Sequence, residues 1–135
     1  MNIKKFHKNT LKVIKPSTKL FSIQNKNLYL ETECLFGESF EIEKIENNYC
    51  YGKLLTDNYI GWVNFTDLGN LPEASHRVLS IRTIIHKKDD IKSAPISYLP
   101  LGSQIQVISE NSEWFEICLN YNELNTGFVP KNHLT

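Results

Sequence analysis

No stretch of this chain is apolar for long enough to cross a bilayer as a helix, which takes about 20 residues. The N-terminal MNIKKFHKNTLKVIK supplies basic residues but no apolar run of about seven or more behind them, so it does not read as a secretory signal. Cysteine is scarce. Cys34, Cys50 and Cys118 form an odd set with no Cys-x-x-Cys pair, and without a signal they read as reduced thiols of a cytoplasmic protein. His7, His76, His86 and His133 share no spacing with a metal site or a general base, so neither a metal nor a cofactor is expected. An excess of positive charge is also missing: 15 Lys and Arg balance 15 Asp and Glu. Binding a phosphate backbone rests on many basic contacts, so a dedicated nucleic-acid binder, with tyrosines stacking on bases, is disfavoured. Helical periodicity of useful length is absent as well.

The zero net charge hides a segregation. Residues 1–30 carry Lys4, Lys5, Lys8, Lys12, Lys15, Lys19 and Lys26 and no acid, whereas residues 31–46 carry Glu31, Glu33, Glu38, Glu41, Glu43 and Glu46 against Lys44 alone. Such a distribution suits either a basic arm for an anionic surface or a solvated tail beside the outward face of a strand. Short β-strands follow. FEIEKIE alternates apolar and polar residues with a slip before Ile45, Asn47-Asn48 makes a turn, and YCYGKLL puts Cys50, Gly52 and Leu54 on one face. Thr56-Asp57-Asn58 supplies another turn before the short strand YIGWVNF. Further on, QIQVIS and WFEICLN read as strands, the second with Phe115, Ile117 and Leu119 inward, and a polar hairpin NYNELNT leads to the closing GFVP.

The two stretches are versions of one pattern. Gly37 and Gly102 stand 65 residues apart; at that offset Val13 falls on Val78, Leu20 on Ile85, Phe36 on Leu101, Phe40 on Ile105, Ile42 on Val107, Tyr49 on Trp114 and Cys50 on Phe115. After one inserted residue Gly61 meets Gly127, Val63 meets Val129 and Leu68 meets Leu134. An internal repeat divides the chain into a loose basic arm (1–10), a first unit (11–69), a linker (70–75) and a second unit (76–135). A unit of about 60 residues is marginal alone, so the two are expected to pack on one another. Short strands at close spacing predict an all-β protein of two small barrels in tandem.

Within each unit the order is a glycine after an apolar pair, a β-branched strand, a polar turn, an aromatic strand, then Gly-aromatic-Val. That order resembles the bacterial SH3 domain. LFGESFEI with DNYIGWV and DLG is similar to the first SH3 domain of NlpC/p60-type cysteine peptidases, and HRVLSIRTIIHKKDDIKSAPISYLPLGSQIQVI with GFVPKNHL is similar to their second. The resemblance covers about residues 11–135 and implies SH3-like barrels that precede a catalytic domain in the same or another chain. It departs at the chemistry: the family's Asp-Cys-Ser-Gly motif and its downstream His have no counterpart here, so no catalytic residue is expected.

By resemblance, the first SH3 domain helps bind the free amino end of a cell-wall stem peptide whose γ-D-glutamyl bond to a diamino acid is cleaved. Tyr59 is the tyrosine that the resemblance points to, with Glu38 after the Leu-Phe-Gly turn and Trp62 beside it. A carboxylate can pair an ammonium by a charge-assisted hydrogen bond, and a tyrosine can wall the site and offer its hydroxyl. Glu38 is equally a solvated turn acid, and Tyr59 equally a hairpin tyrosine packed on Trp62. Tyr49 and Tyr51, and Trp114 and Phe128 in the second unit, offer aromatic grooves for an extended peptide, or core and rim positions of a small barrel. The expected function is therefore non-catalytic peptide recognition for a murein-peptide hydrolase; the alternative is a stand-alone module for a cell-wall polymer or a protein partner.

Overall fold

A computed structural model describes residues 9–120 and 125–135. Most of the expected N-terminal arm and the tip of the NYNELNT hairpin lie outside the described residues. Within them the protein is all-β, with two single-turn 3-10 helices at Phe65–Asp67 and Lys131–His133 and no α-helix.

Seven strands form the first sheet: β1 (Thr10–Val13), β2 (Ser17–Gln24), β3 (Asn27–Leu35), β4 (Ser39–Glu46), β5 (Tyr49–Leu54), β6 (Ile60–Asn64) and β7 (Leu68–Gly69), in the order β3-β2-β6-β5-β4-β1-β7. Two hairpins set its register. Asn25 and Lys26 (φ 50° and 68°) join β2 to β3, and Asn47 and Asn48 (φ 48° and 69°) join β4 to β5. Two consecutive residues at positive φ make the tight turn whose twist matches that of the strands, and asparagine tolerates that conformation well. The slip before Ile45 is a β-bulge between Ile42 and Lys44. Cys50, Gly52 and Leu54 face inward, where Cys50 and Leu54 join Val13, Leu20, Cys34, Phe40, Ile42, Val63 and Leu68 in one core.

The second half has β8 (His76–Arg77), β9 (Arg82–His86), β10 (Pro95–Pro100), β11 (Gln104–Ile105), β12 (Val107–Glu110), β13 (Trp114–Asn120) and β14 (Asn125–Pro130). Five of these pair as β10-β9-β14-β13-β12, and β11 pairs with β8. Phe115 and Ile117 are buried as expected, but a bulge between Cys118 and Asn120 turns Cys118 inward too and leaves Leu119 half-buried against the core.

Several backbone hydrogen bonds recur along the chain. The Gly37 amide donates to Val13 O (2.9 Å) and the Gly102 amide to Val78 O (3.0 Å). Val13 donates to Glu38 O (3.0 Å) and Val78 to Ser103 O (2.9 Å). Ile14 donates to Asp67 O and Leu79 to His133 O, at 2.9 and 2.8 Å. Both glycines sit at positive φ, 86° and 90°, which their lack of a side chain permits.

The expectation of closed barrels needs correction. In the first half the ladder ends at β3 on one side and at β7 on the other, and in the second at β10 and β12. Closing a sheet requires its end strands to pair in staggered register. Here β7 has two residues, and the corner between β3 and β4 is held by turn hydrogen bonds instead, with Phe36 N–H donating to Pro16 O at 3.1 Å.

The two halves are joined through that corner. Phe36, from the first half, is 3% exposed and packs in the second core with Val78, Ile85, Leu99, Ile105, Phe115, Ile117, Val129 and Leu134. Its carbonyl accepts from the Gln104 amide at 2.9 Å, and Lys12 Nζ donates to Pro72 O at 3.2 Å.

Candidate functional site

The Leu35–Glu38 turn is built by one side chain and one glycine. The Glu38 amide donates to Leu35 O at 3.0 Å, and Glu38 Oε1 accepts from the Leu35 amide at 2.7 Å, so backbone and carboxylate close the turn reciprocally. Gly37 supplies the left-handed third position that such a turn needs. Glu38 is only 6% exposed, so it is not the solvated turn acid that the residue type alone allows.

Tyr59 follows a second turn. Asn58 (φ 66°) donates to Leu54 O at 2.8 Å, and Leu54 donates to Tyr59 O at 2.9 Å, which fixes the tyrosine's backbone while its side chain remains 41% exposed. The two turns flank one buried thiol. Burial above all, with the carboxylates of Glu38 and Asp57 adding to it, pushes the Cys34 thiol up to about 12.

Trp62 has other neighbours. Its ring meets Tyr51, at 5.1 Å between centroids, and Lys44 Nζ lies 5.5 Å from its centre and 5.6 Å from that of Tyr51. Tyr49 lies beside them, lining an open groove with Phe21, Ile23, Leu28 and Trp62. The expected site thus falls into two places: Glu38 and Tyr59 at the turns, and Trp62 with Tyr49 and Tyr51 on the outer sheet face. Phe21, Ile23 and Leu28 escaped the sequence reading. Their signal was the alternation in FSIQ and NLYL around Asn25-Lys26, a hairpin without glycine.

In the second half Phe128 lies opposite Glu116 on β13 and opposite His86 on β9, while Trp114 packs edge-on against the His86 ring at 5.4 Å. His86 itself is buried, 7% exposed.

The thiols and imidazoles are engaged elsewhere. All three cysteines are buried; burial also raises Cys50, to about 11, and raises Cys118. A thiol so displaced is not a thiolate near neutral pH. His76 Nδ1 pairs with Ser75 Oγ (2.8 Å), His86 Nδ1 donates to Ser93 O (3.4 Å), and His133 Nδ1 pairs with the Thr83 hydroxyl (2.8 Å). Among the described residues, no group of three His, Cys, Asp or Glu is placed to hold a metal ion. No helix among them is long and apolar enough to cross a membrane.

Residues 25–68 match the family model described as the bacterial dipeptidyl-peptidase Sh3 domain, a span that contains both turns. No curated protein matches the chain. Among solved structures, an NlpC/P60 family protein from Bacillus cereus ATCC 10987 is similar with a TM-score of 0.73 at 12% identity, over 94% of this chain and 56% of that one. NlpC2 from Trichomonas vaginalis aligns with a TM-score of 0.38 at 14% identity, over 93% of this chain and 47% of that one. Residues 25–68 are thus similar to a bacterial SH3 domain, the fold as a whole is similar to that of the Bacillus cereus protein, and the chain spans little more than half the length of that structure.

Proposed function

We propose that this chain is the non-catalytic, peptide-recognising part of a murein-peptide hydrolase of the NlpC/p60 type, made of two related SH3-like units (11–69 and 76–135), a linker (70–75) and a basic arm (1–10). The observation that carries this reading is the family match over residues 25–68, which includes the Glu38 turn and Tyr59. The hydrogen bonds that recur between Val13, Gly37 and Glu38 and between Val78, Gly102 and Ser103 support a common origin of the two units. The catalytic domain would belong to another part of the same protein or to a partner. Three free thiols suit a reducing compartment such as the cytoplasm.

In this reading Tyr59 walls the site for the free amino end of a stem peptide, with the turn at Glu38 beside it. Trp62 and its aromatic neighbours contact the ligand further out. Calorimetric titration of the whole chain with a stem peptide bearing a γ-D-glutamyl-diamino acid bond tests this, using one sample with a free amino end and one N-acetylated. Binding of the free form, lost on acetylation and weakened by Tyr59→Ala, supports the reading. Equal binding of both forms, or none of either, refutes it. The open groove beside Trp62 favours a second reading, a module that binds a protein partner without reference to any amino end.

A further inference from the structure

In an antiparallel ladder, directly opposed residues share one face. The pairs Lys44↔Tyr51, Glu46↔Tyr49, Tyr51↔Trp62, Trp62↔Phe21, Phe21↔Leu30 and Ile23↔Leu28 therefore gather side chains of five strands on one outward surface. A groove of 380 Å³ opens there between Phe21, Ile23, Leu28, Tyr49 and Trp62, with Glu46 and Asn47 at its rim. Leu28 and Ile23 are 66% and 55% exposed. Apolar side chains exposed singly are ordinary, but a contiguous apolar patch with a polar rim marks an interaction surface.

The protein's own Lys44 indicates what the rim prefers. Its ammonium lies over the Tyr51 and Trp62 rings and 3.5 Å from Glu46 Oε2, in an exposed pair. Aromatic faces and a carboxylate together favour a cation. The field around them has the same sign: residues 27–69 hold eight carboxylates against two lysines, Lys44 and Lys53. At the matching strand crossing of the second half, Phe128↔His86, the buried His86 ring packs against Trp114.

We propose that the Phe21–Trp62 groove docks an extended segment of a partner polypeptide in which apolar side chains flank a lysine or arginine. The apolar residues lie between Phe21, Leu28, Tyr49 and Trp62, and the cation takes the place of the Lys44 ammonium at Glu46. This rests on the reading of the chain as a binding module but not on recognition of an amino end at Tyr59.

The experiment is an NMR titration of the whole chain with the blocked peptide acetyl-Pro-Leu-Arg-Leu-Pro-amide and with its Arg→Glu counterpart. Neither has a free amine, so the result is independent of the stem-peptide reading. The expected result is a shift of the Trp62 indole and of the Phe21, Ile23 and Leu28 amides. The glutamate peptide should bind at least about threefold more weakly, the scale of an exposed ion pair. Glu46→Lys, at an exposed position, should reverse that preference while keeping the fold. Lys44→Ala should tighten the arginine peptide by removing a competitor. Equal binding of the two peptides, or shifts confined to the Glu38 and Tyr59 turns, would overturn the proposal. So would groove shifts that grow with protein concentration alone, since a second copy of the chain would then be the occupant.

Discussion

The amide of Gln104 reaches across to the carbonyl of Phe36, 2.9 Å away, and Gln104 returns its own carbonyl against the α-carbon of the next residue, Gly37. A β-carbon at Gly37 would lie 1.8 Å from that carbonyl oxygen, whereas one at Gly102 would meet nothing nearer than Leu35 Cδ1 at 3.4 Å. The two glycines share a backbone conformation and differ in what faces them.

Gly37→Ala should therefore cost more than Gly102→Ala. The first adds a backbone clash to an unfavourable φ, about 3–5 kcal/mol together, and the second only the φ term, about 1–2 kcal/mol. Urea unfolding midpoints of the two variants decide it; equal losses would show that the close approach of Gln104 is unimportant.

Phe36→Ala should destabilise the protein by about 3–5 kcal/mol, as expected for truncating a buried aromatic. The loss should fall on the second half, because that is the core Phe36 enters. Hydrogen exchange at Ile117 and Val129 should accelerate more than at Ile42 and Val63.

Glu38→Ala should cost about 1–3 kcal/mol, because it leaves the Leu35 amide without its acceptor. Glu38→Gln keeps a side-chain oxygen there and should cost less than half as much. If Glu38 also receives a peptide amine, Glu38→Gln should weaken binding of the free stem peptide while stability holds, a separation that calorimetry and urea unfolding measure together.

Stability should decline in alkali. The Cys34 and Cys50 thiols are raised in the folded protein to about 12 and 11 from an ordinary 9.0, so above pH 9 the unfolded chain releases protons that the folded one retains. The stabilisation is complete below pH 9 and is lost as pH climbs toward the folded values, with a slope on the order of 1 kcal/mol per pH unit for each thiol. Urea unfolding between pH 7.5 and 10.5 should show this slope, and Cys34→Val should reduce it to the share of Cys50. The same thiols should resist a disulfide reagent at neutral pH until the protein unfolds.

Much of the local structure was legible in the residues. The Asn47-Asn48 turn, the inward face of Cys50, Gly52 and Leu54, and the strands carrying Phe40 and Phe115 follow from alternation and turn chemistry alone. The β2–β3 hairpin was harder, since its turn is Asn-Lys and its apolar residues Ile23, Leu28 and Leu30 point to solvent, against the rule that apolar means inside. At the two turns, the exposure of Tyr59 and the burial of Glu38 were not legible, because a carboxylate is placed inside only by the amide that it meets.

Residue order by itself determined the all-β character and the positions of most turns. Those depend on short-range sterics and on the two-residue period of a strand, both contained in a few neighbouring residues. Only the tertiary structure decided that Phe36 fills the other half's core, that the sheets stay open, and that Trp62 faces Tyr51 and Lys44 rather than the Glu38 turn. Each of those depends on the fit between surfaces distant in the chain, which no local period encodes.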